Sequence, residues 1–570
     1  MIDQKDTETS TTKLPLSDKE TEEQQVSEQE QVIQETPPHP RSHLPPWKWK
    51  CTLVLVFLCC LLIGYDISNV ANIQPRLYEA FGHIDLLPWI GLSYALANFS
   101  VVSLARKLTL AFDMRIVFLV NMLIFTAGSA IAGAAKSMTT IIVGRVIMGI
   151  GGSIVQQSCY SYFAVLATPA EMTSLYGLVG GLWALGLVLG GPIGSAFAEN
   201  EDTTWRWALY INLPFLGLAF FIGLICLPSH VLAPDIPLSQ RIRKLDPVGI
   251  VLHMASGTLF AIAVTFSGAV WDWGSGPDIA AWVVFGVVLI SWCVQQSFCI
   301  FTTKEDRAFP VHMLSRHDLA PLWITCLCAG ASYAVTLYYT PLFFAFARGY
   351  DAMEQTVRFL PFILLFIVCV SITGRILPIL GRYFVIYVAG GAITLTGSAV
   401  MANILDPDVP QSQILGLEAL IGIGVGMTFQ HGIAISNVIN KDPRDRVDSL
   451  TLCNMSQMGG VSLILAIAGG IFHNVGHTLL VDALGEEAEK YSDKDIREAL
   501  AGVSSVIWQS EDPSVLRKGI EAVAEVIARE FYIVVAFGSL CFICGFLMKW
   551  EKLEFGVVGK NKKKKGETEA

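Results

Sequence analysis

The chain has 570 residues, 53% of them hydrophobic and only 15% charged, whereas soluble globular domains carry about 25% charged residues. That deficit, with a positive mean hydropathy, excludes an ordinary water-soluble domain. The formal net charge of -10 is largely a tail property, because residues 1–46 hold ten Asp or Glu against Lys5, Lys13, Lys19 and Arg41; it marks no acidic body and no nucleic-acid partner.

Residues 1–46 are rich in Glu, Gln, Thr, Ser and Pro with almost no aromatics, a composition that buries too little surface to offset its ordering entropy and so predicts a disordered tail. A helix crossing about 30 Å of hydrocarbon needs roughly 20 mostly apolar residues, because lipid offers backbone amides no partner outside the helix. From Trp47 onward that test is met near 52–73, 87–105, 115–135, 139–159, 172–194, 206–227, 247–267, 279–301, 319–342, 356–374, 383–403, 413–436, 449–472 and 529–548. The sequence therefore predicts an all-α integral membrane protein of fourteen transmembrane helices.

In the first helix, "LLIGYDISNVANIQP" places Asp66 deep in the span. A carboxylate there costs about 2.5–3.5 kcal/mol on insertion scales and is usually retained for function. Arg145, in "IIVGRVIMGIGG" of the fourth helix, falls at similar depth because that helix runs the other way. Pairing holds such a carboxylate ionised and separation favours its protonation, which is a way to couple proton binding to shape change; the alternative is a static ion pair. The fifth helix reads "GLVGGLWALGLVLGGPIGSAF", with Gly186, Gly190 and Gly194 at four-residue spacing for close backbone approach and Pro192 interrupting the ladder. It predicts a packing surface, and a hinge compatible with it.

Further along, His253 and His431 are lone span histidines, expected as core residues, and Glu418 lies near a helix end, where it is expected to snorkel to water. The segment 473–528 is polar, with "SDKDIREALAGVSSVI" readable as a short amphipathic helix. Most of the thirteen cysteines sit in apolar runs as small hydrophobes. Cys541 and Cys544 have CxxC spacing without further ligands, so neither a disulfide framework nor a metal site is expected. No Walker A, HExxH or GxSxG pattern has a supporting context, and no cofactor or enzymatic activity is expected.

Basic residues in short loops favour the cytosolic side. Lys48 and Lys50, Arg106, Lys107 and Arg115, Arg241, Arg243 and Lys244, Lys304, Arg307 and Arg316, Arg375 and Arg382, Lys441, Arg444 and Arg446, then Lys549 and the run 562–565 share one side; Arg76, Lys136, Arg348 and Arg358 are on the other. Both termini are therefore expected in the cytosol and 473–528 outside.

Several motifs resemble the fungal fourteen-span drug:proton antiporters of the major facilitator superfamily. "GLVLGGPIGSAF" at 186–197 is similar to that family's antiporter motif and "WRWALYINLP" at 205–214 to its sixth-helix start. "KLDPVG" at 244–249, "YYTPLFFAFARGYDAMEQTVRFLP" at 338–361 and "GIGVGMTFQ" at 422–430 match its seventh helix, ninth-to-tenth junction and twelfth helix. Asp66 and Arg145 fall on its acidic and arginine positions. The loop "SLARKLTLAFDMR" at 103–115 departs from the family's cytosolic signature: Leu110 stands at the usual acidic position, Arg106 and Asp113 replace glycines and Arg115 remains. Asp113 with Arg115 is the candidate substitute for that loop's conformational latch.

The resemblance implies a major facilitator fold with a six-helix bundle at 47–235, an inserted pair of helices 7–8 at 236–305, a second six-helix bundle at 306–550 carrying the extracellular loop 473–528, and a basic cytosolic tail at 551–570. It further implies a midplane cavity between the bundles, for which Tyr65, Gln156, Trp183, Tyr338, Tyr339 and Gln430 are candidates as polar-aromatic lining. The expected partners are a small-molecule substrate, protons and the bilayer, for a monomer in the plasma membrane, with the vacuolar membrane as the alternative. Export of drugs, toxins or secondary metabolites in exchange for protons is the leading function; proton-coupled uptake of siderophores or other solutes and a non-transporting sensor are the other readings.

Overall fold

The computed structural model describes residues 40–81, 87–200, 203–232, 234–268, 270–501 and 505–553. The acidic segment 1–39 and the terminal lysine run lie outside them. Among the described residues the chain is helical apart from one isolated bridge between Ser267 and Trp271. The long helices in chain order are α1 (Pro46–Phe81), α2 (Leu87–Ala111), α3 (Met114–Gly133), α4 (Met138–Leu166), α5 (Pro169–Glu199), α6 (Arg206–Cys226), α7 (Pro247–Phe266), α8 (Gly276–Phe298), α9 (Ala320–Arg348), α10 (Ala352–Leu380), α11 (Tyr383–Ile404), α12 (Gln411–Ile439), α13 (Pro443–Leu484) and α14 (Pro513–Leu547).

Thirteen of these are long and apolar enough to cross a membrane. The fourteenth, α2, has the length, but its apolar character is diluted by Ser93, Asn98, Ser100, Ser103, Arg106, Lys107 and Thr109, all buried. Two helices are interrupted. In α6 the ladder breaks at Ile211, where Pro214 has no N–H for the Tyr210 carbonyl. In α12 it breaks at Phe429–Gln430, and the Phe429 carbonyl accepts instead from Gln457 Nε2 at 2.6 Å, so a neighbouring helix satisfies the loosened backbone.

The packing repeats itself. In the first six helices, α1 packs on α5 and α6, α4 on α2 and α3, and α3 on α6; in the last six, α9 packs on α13 and α14, α12 on α10 and α11, and α11 on α14. The two halves meet through α5 with α10 and through α2 with α13, pairs that exchange under the same twofold relation. The repeat reaches the residues. "IIVGRVIMGIGGSIVQQ" at 141–157 aligns without a gap with "ILGLEALIGIGVGMTFQ" at 414–430, placing Gly149 on Gly422 and Gly151 on Gly424. A Cβ on Gly149 would lie 2.7 Å from the Tyr94 carbonyl of α2, and one on Gly422 would lie 2.5 Å from the Phe362 carbonyl of α10. On Gly151 and Gly424 it would lie 2.4 and 2.6 Å from the backbone nitrogens of Phe125 on α3 and Thr394 on α11.

The inserted pair α7–α8 packs on itself, with α7 against α2 and α13. Helix α8 turns outward an apolar face that includes Val283, Val287, Ile290 and Phe298, all more than half exposed, a surface suited to hydrocarbon rather than water.

Residues 473–528 carry more helix than the sequence reading assigns them, and the amphipathic helix expected there is present. Helix α13 has 42 residues and α14 has 35, or about 60 and 50 Å at 1.5 Å per residue, well beyond the ~30 Å hydrocarbon layer. Their projecting ends and the amphipathic helix Asp493–Ala501 bury Leu480, Leu484, Ile496, Ile507 and Val515 in a small core of their own. The charged surface of these turns reads as loop in the sequence because only one narrow stripe of each is apolar.

Candidate functional site

Asp66 and Arg145 meet as read from their depth. Asp66 is 0% and Arg145 1% exposed, and Arg145 Nη1 forms an ion pair with Asp66 Oδ2. The other carboxylate oxygen, Oδ1, accepts from Asn212 Nδ2 at 3.0 Å, at the interruption of α6. Arg145 Nε donates to the Ile90 carbonyl at 3.2 Å, and its guanidinium lies 4.6 Å from the centre of the Tyr94 ring. A charge this deep is tolerated where a cation and hydrogen bonds compensate it, and four helices of one half supply them: α1, α2, α4 and α6.

The glycine stripe of α5 holds α1 at close range. A Cβ on Gly186 would sit 2.1 Å from the Leu61 carbonyl, one on Gly190 2.6 Å from the Tyr65 carbonyl, and one on Gly194 3.0 Å from the Asn69 carbonyl. In return, a Cβ on Gly64 of α1 would sit 2.0 Å from the Trp183 carbonyl of α5. Pro192 lies inside α5, which remains one helix.

The cavity candidates divide. Trp183 of α5 is buried against the second half, stacked on Phe429 at 5.7 Å and 5.3 Å from Tyr333; Phe362 and Phe366 complete this ring cluster. Gln156 Nε2 donates to Tyr160 Oη at 3.0 Å and Gln430 Nε2 reaches the same oxygen at 3.4 Å, so these two meet between the halves. The Trp183 indole N–H, the Tyr333 hydroxyl and Gln430 Oε1 are buried without a partner. Tyr65 turns the other way, donating to the Ala208 carbonyl at 2.9 Å. Tyr339 is buried against Phe472 at 5.7 Å, while its neighbour Tyr338 is 53% exposed and stands apart from the cluster.

One end of the bundle, where the chain enters α1 and the arginine- and lysine-rich loops gather, is tied shut. Gln157 Nε2 donates to Thr451 Oγ1 at 3.1 Å, Asn454 Nδ2 to Gln157 Oε1 at 2.7 Å, and Asn437 Nδ2 to the Tyr176 hydroxyl at 2.9 Å. Arg106 Nε joins Asp448 Oδ1 at 2.6 Å. The Asp113 and Arg115 pair does not bridge the halves: Asp113 caps α3 through the Arg115 N–H at 2.8 Å and accepts from Ser229 Oγ, and the Arg115 guanidinium donates to the Leu224 carbonyl. The bridging role falls to Arg106, one of the residues that departs from the loop's glycine pattern.

Glu418 is 0% exposed rather than snorkelled, and neither carboxylate oxygen has a hydrogen-bond partner. His253 packs between Phe99 and Trp292, each 5.4 Å away, and His431 is fully buried. Among the described residues no group of His, Cys, Asp and Glu is placed to hold a metal ion.

The Major Facilitator Superfamily model matches residues 56–472. The chain is 32% identical to the efflux pump DEP3 of Fusarium langsethiae, over 89% of this chain and 91% of the pump. It is also 32% identical to the efflux pump patC of Aspergillus clavatus, over 95% of this chain and 99% of the pump. The crystal structure of the human organic anion transporter MFSD10 shares the fold, with a TM-score of 0.52 at 13% identity over 89% of this chain and 100% of that one.

Proposed function

The chain belongs to the Major Facilitator Superfamily, and we propose that it exports small organic molecules in exchange for protons, with Asp66 as the proton carrier. The buried constellation of Asp66, Arg145 and Asn212 carries this reading. Its charges are balanced as long as α1, α4 and α6 keep their present arrangement. A rearrangement that parts Arg145 from Asp66 leaves a carboxylate in a dry site, and protonation is the way to relieve that cost. The names of the relatives support export over uptake.

The moving bodies are the two six-helix halves, 47–235 and 306–550, rocking about the α5–α10 and α2–α13 contacts. The positive-inside rule places the basic end, and both termini, in the cytosol, so the conformation described is closed toward the cytosol. The closed ring cluster of Trp183, Tyr333, Phe362, Phe366 and Phe429 supplies apolar contact, and the unpartnered tips of Trp183, Tyr333 and Gln430 supply hydrogen bonds. No charged side chain belongs to that cluster, which fits a weakly polar, uncharged organic molecule. The protein works as a monomer in the plasma membrane.

The test is a deletion strain and an overexpressing strain challenged with a panel of toxic fungal metabolites. Overexpression raises tolerance to at least one compound and deletion lowers it, and Asp66→Asn abolishes the pH-gradient-driven efflux of that compound while the protein still reaches the membrane. Efflux unchanged in Asp66→Asn would remove Asp66 from the mechanism.

A further inference from the structure

We propose that Glu418 is a second proton-carrying group, the counterpart in the C-terminal half of the coupling pair in the N-terminal half. The proposal rests on the proton-exchange reading of Asp66 and adds one proton to its cycle.

Three observations converge on this residue. The first is position. In the gap-free alignment of α4 with α12, Arg145 falls on Glu418, and the shared glycine contacts fix the register: Gly149 against Tyr94 corresponds to Gly422 against Phe362. Arg145 and Glu418 are each the eighth residue of a helix that starts at the end opposite the basic face, about 12 Å in at 1.5 Å per residue. The side chain that completes the carboxylate pair in one half is thus replaced by a carboxyl at the same depth in the other.

The second observation is isolation. Arg145 has Asp66, the Ile90 carbonyl and the Tyr94 ring around it. Glu418 has no exposure and no side-chain partner, the Phe362 backbone being the one polar group beside its carboxyl. The cations on the neighbouring helices lie elsewhere: Arg358 of α10 lies 3.6 Å from the Tyr350 ring centre and donates to the Glu354 carbonyl at 3.0 Å, Arg375 is exposed near the other end of α10, and Arg348 of α9 donates to the Val409 carbonyl. Helix α11 contains no Asp, Glu, Lys or Arg. An ionised carboxylate in this setting has no cation to compensate it, so the closed conformation houses the acid with its proton on.

The third is surroundings that change with the cycle. Glu418 shares one face of α12 with Gly422 and Gly426, which abut the Phe362 and Phe366 carbonyls of α10, and α10 is the helix that meets α5 of the other half. Rocking of the halves therefore changes what lies against α10, the helix whose other side keeps Glu418 dry. The step is a plain proton exchange: the Glu418 hydroxyl hydrogen passes to water admitted from the cytosolic side, leaving a hydrated carboxylate, and a proton from the opposite solution restores the acid. Glu530 of α14 is a second buried acid without partners, but it lies in neither repeated helix pair that carries Asp66 and Arg145.

Infrared pH-difference spectra of the full chain in phosphatidylcholine vesicles test the proposal without any substrate. The wild type shows protonated-carboxyl carbonyl absorption that Asp66→Asn keeps and the isosteric Glu418→Gln diminishes, the part from Glu530 being identified by its loss in Glu530→Gln; absorption unchanged in Glu418→Gln overturns the inference. Should Glu418→Gln fail to fold, treatment of the wild type with dicyclohexylcarbodiimide, an apolar reagent for protonated carboxyls, followed by peptide mass mapping, modifies Glu418; modification confined to other carboxyls overturns the inference. With a compound identified in the metabolite panel, one pH unit sustains about a hundredfold substrate ratio in wild-type vesicles and about tenfold in Glu418→Gln, each exchanged proton contributing a factor of ten. Equal ratios overturn the second proton while leaving Asp66 intact, and loss of all gradient dependence in the wild type overturns the exchange reading itself.

Discussion

Arg106 of α2 and Asp448 of α13 are 342 residues apart in the chain, yet Arg106 Nε and Asp448 Oδ1 are separated by 2.6 Å with both side chains 1% exposed. The pair is set in a larger knot. Arg106 Nη1 also donates to the Arg307 and Ala308 carbonyls at 3.1 and 3.0 Å, and Lys107 Nζ to the Lys244 carbonyl at 3.1 Å. Asp246 gathers Gln295, Gln296 and the Ala308 N–H at 2.7–3.0 Å. Both linkers of the inserted helix pair are therefore stitched to the closure between the halves.

Removing one member of a buried pair leaves an uncompensated charge, at a cost of about 3–5 kcal/mol, whereas replacing both by apolar residues is often close to neutral. Arg106→Met and Asp448→Leu are each expected to lower the unfolding temperature of the detergent-purified protein sharply and to raise protease access at the basic end. The double variant recovers most of the loss. A double variant as unstable as the sum of the singles would assign the closure to the surrounding knot rather than to the pair.

Glycine substitutions separate close approach from composition. Gly186→Ala places a methyl 2.1 Å from the Leu61 carbonyl, while a Cβ on Gly217 of α6 meets nothing within 4 Å. Forcing α1 from α5 is expected to cost several kcal/mol, as overpacking does when backbone must shift, and to disturb the Asp66 site that α1 carries. Gly217→Ala is expected to be neutral or to raise stability by up to about 1 kcal/mol. Yield and thermal unfolding of the two variants are the measurement.

Asn212→Leu removes the hydrogen bond to Asp66 Oδ1 without touching the ion pair. A bond to a charged group contributes about 1.5–3 kcal/mol, so this variant is expected to lose stability on that scale and to slow efflux more than Asn212→Ser, which keeps a donor. Equal efflux rates in the two variants would show that the Asn212 bond has no part in transport.

How much of this was legible follows from the range of each interaction. Asp66 and Arg145 were readable because a charge in an apolar run is costly wherever the fold puts it, and opposite helix directions fix comparable depth. Gly186 and Gly190 were readable from spacing alone. Asn212 was not, since an amide near a helix end reads as ordinary interface polarity. Arg106 with Asp448 was hidden for a different reason: each stands near the basic end of its helix, where charges are commonly solvated, and only the meeting of α2 with α13 buries them. Glu418 misled for the same reason, because the rule that end-proximal acids reach water assumes a free face, and Gly422 and Gly426 press that face of α12 onto α10. Tyr338 and Tyr339 are adjacent, so a helical turn of about 100° necessarily sends them to different surroundings.

Arg316 and Asp318, in the turn before α9, form a two-bond pair at 2.9 and 2.8 Å, and Arg316 also approaches Asn440 Oδ1 at the end of α12, at 3.4 Å. The bond from Arg316 holds the Asp318 carboxyl below the usual carboxylate range. Because the folded state then binds its proton less readily than the unfolded chain, the contribution is present at neutral pH and is lost as pH falls through that range. Wild type and Asp318→Asn should differ in unfolding temperature at pH 7 and converge toward pH 3. A gap independent of pH would trace the effect to packing.

Trp183 joins two properties that substitutions can part. Its ring stacks on Phe429 across the halves, and its N–H is buried without a partner. A donor left unsatisfied in the closed protein costs about 1–3 kcal/mol unless a ligand takes it up. Trp183→Phe keeps an aromatic contact and removes the donor, so on its own account it should leave stability unchanged or higher. If the indole N–H binds substrate, the same variant raises the KM for efflux about tenfold, in keeping with the loss of one hydrogen bond. Trp183→Ala removes the ring as well, and the expected signature is a stability loss of about 3–5 kcal/mol from the emptied volume together with leakage between the halves. A Trp183→Phe protein with wild-type KM would confine Trp183 to packing and shift substrate recognition to the Tyr333 hydroxyl and Gln430.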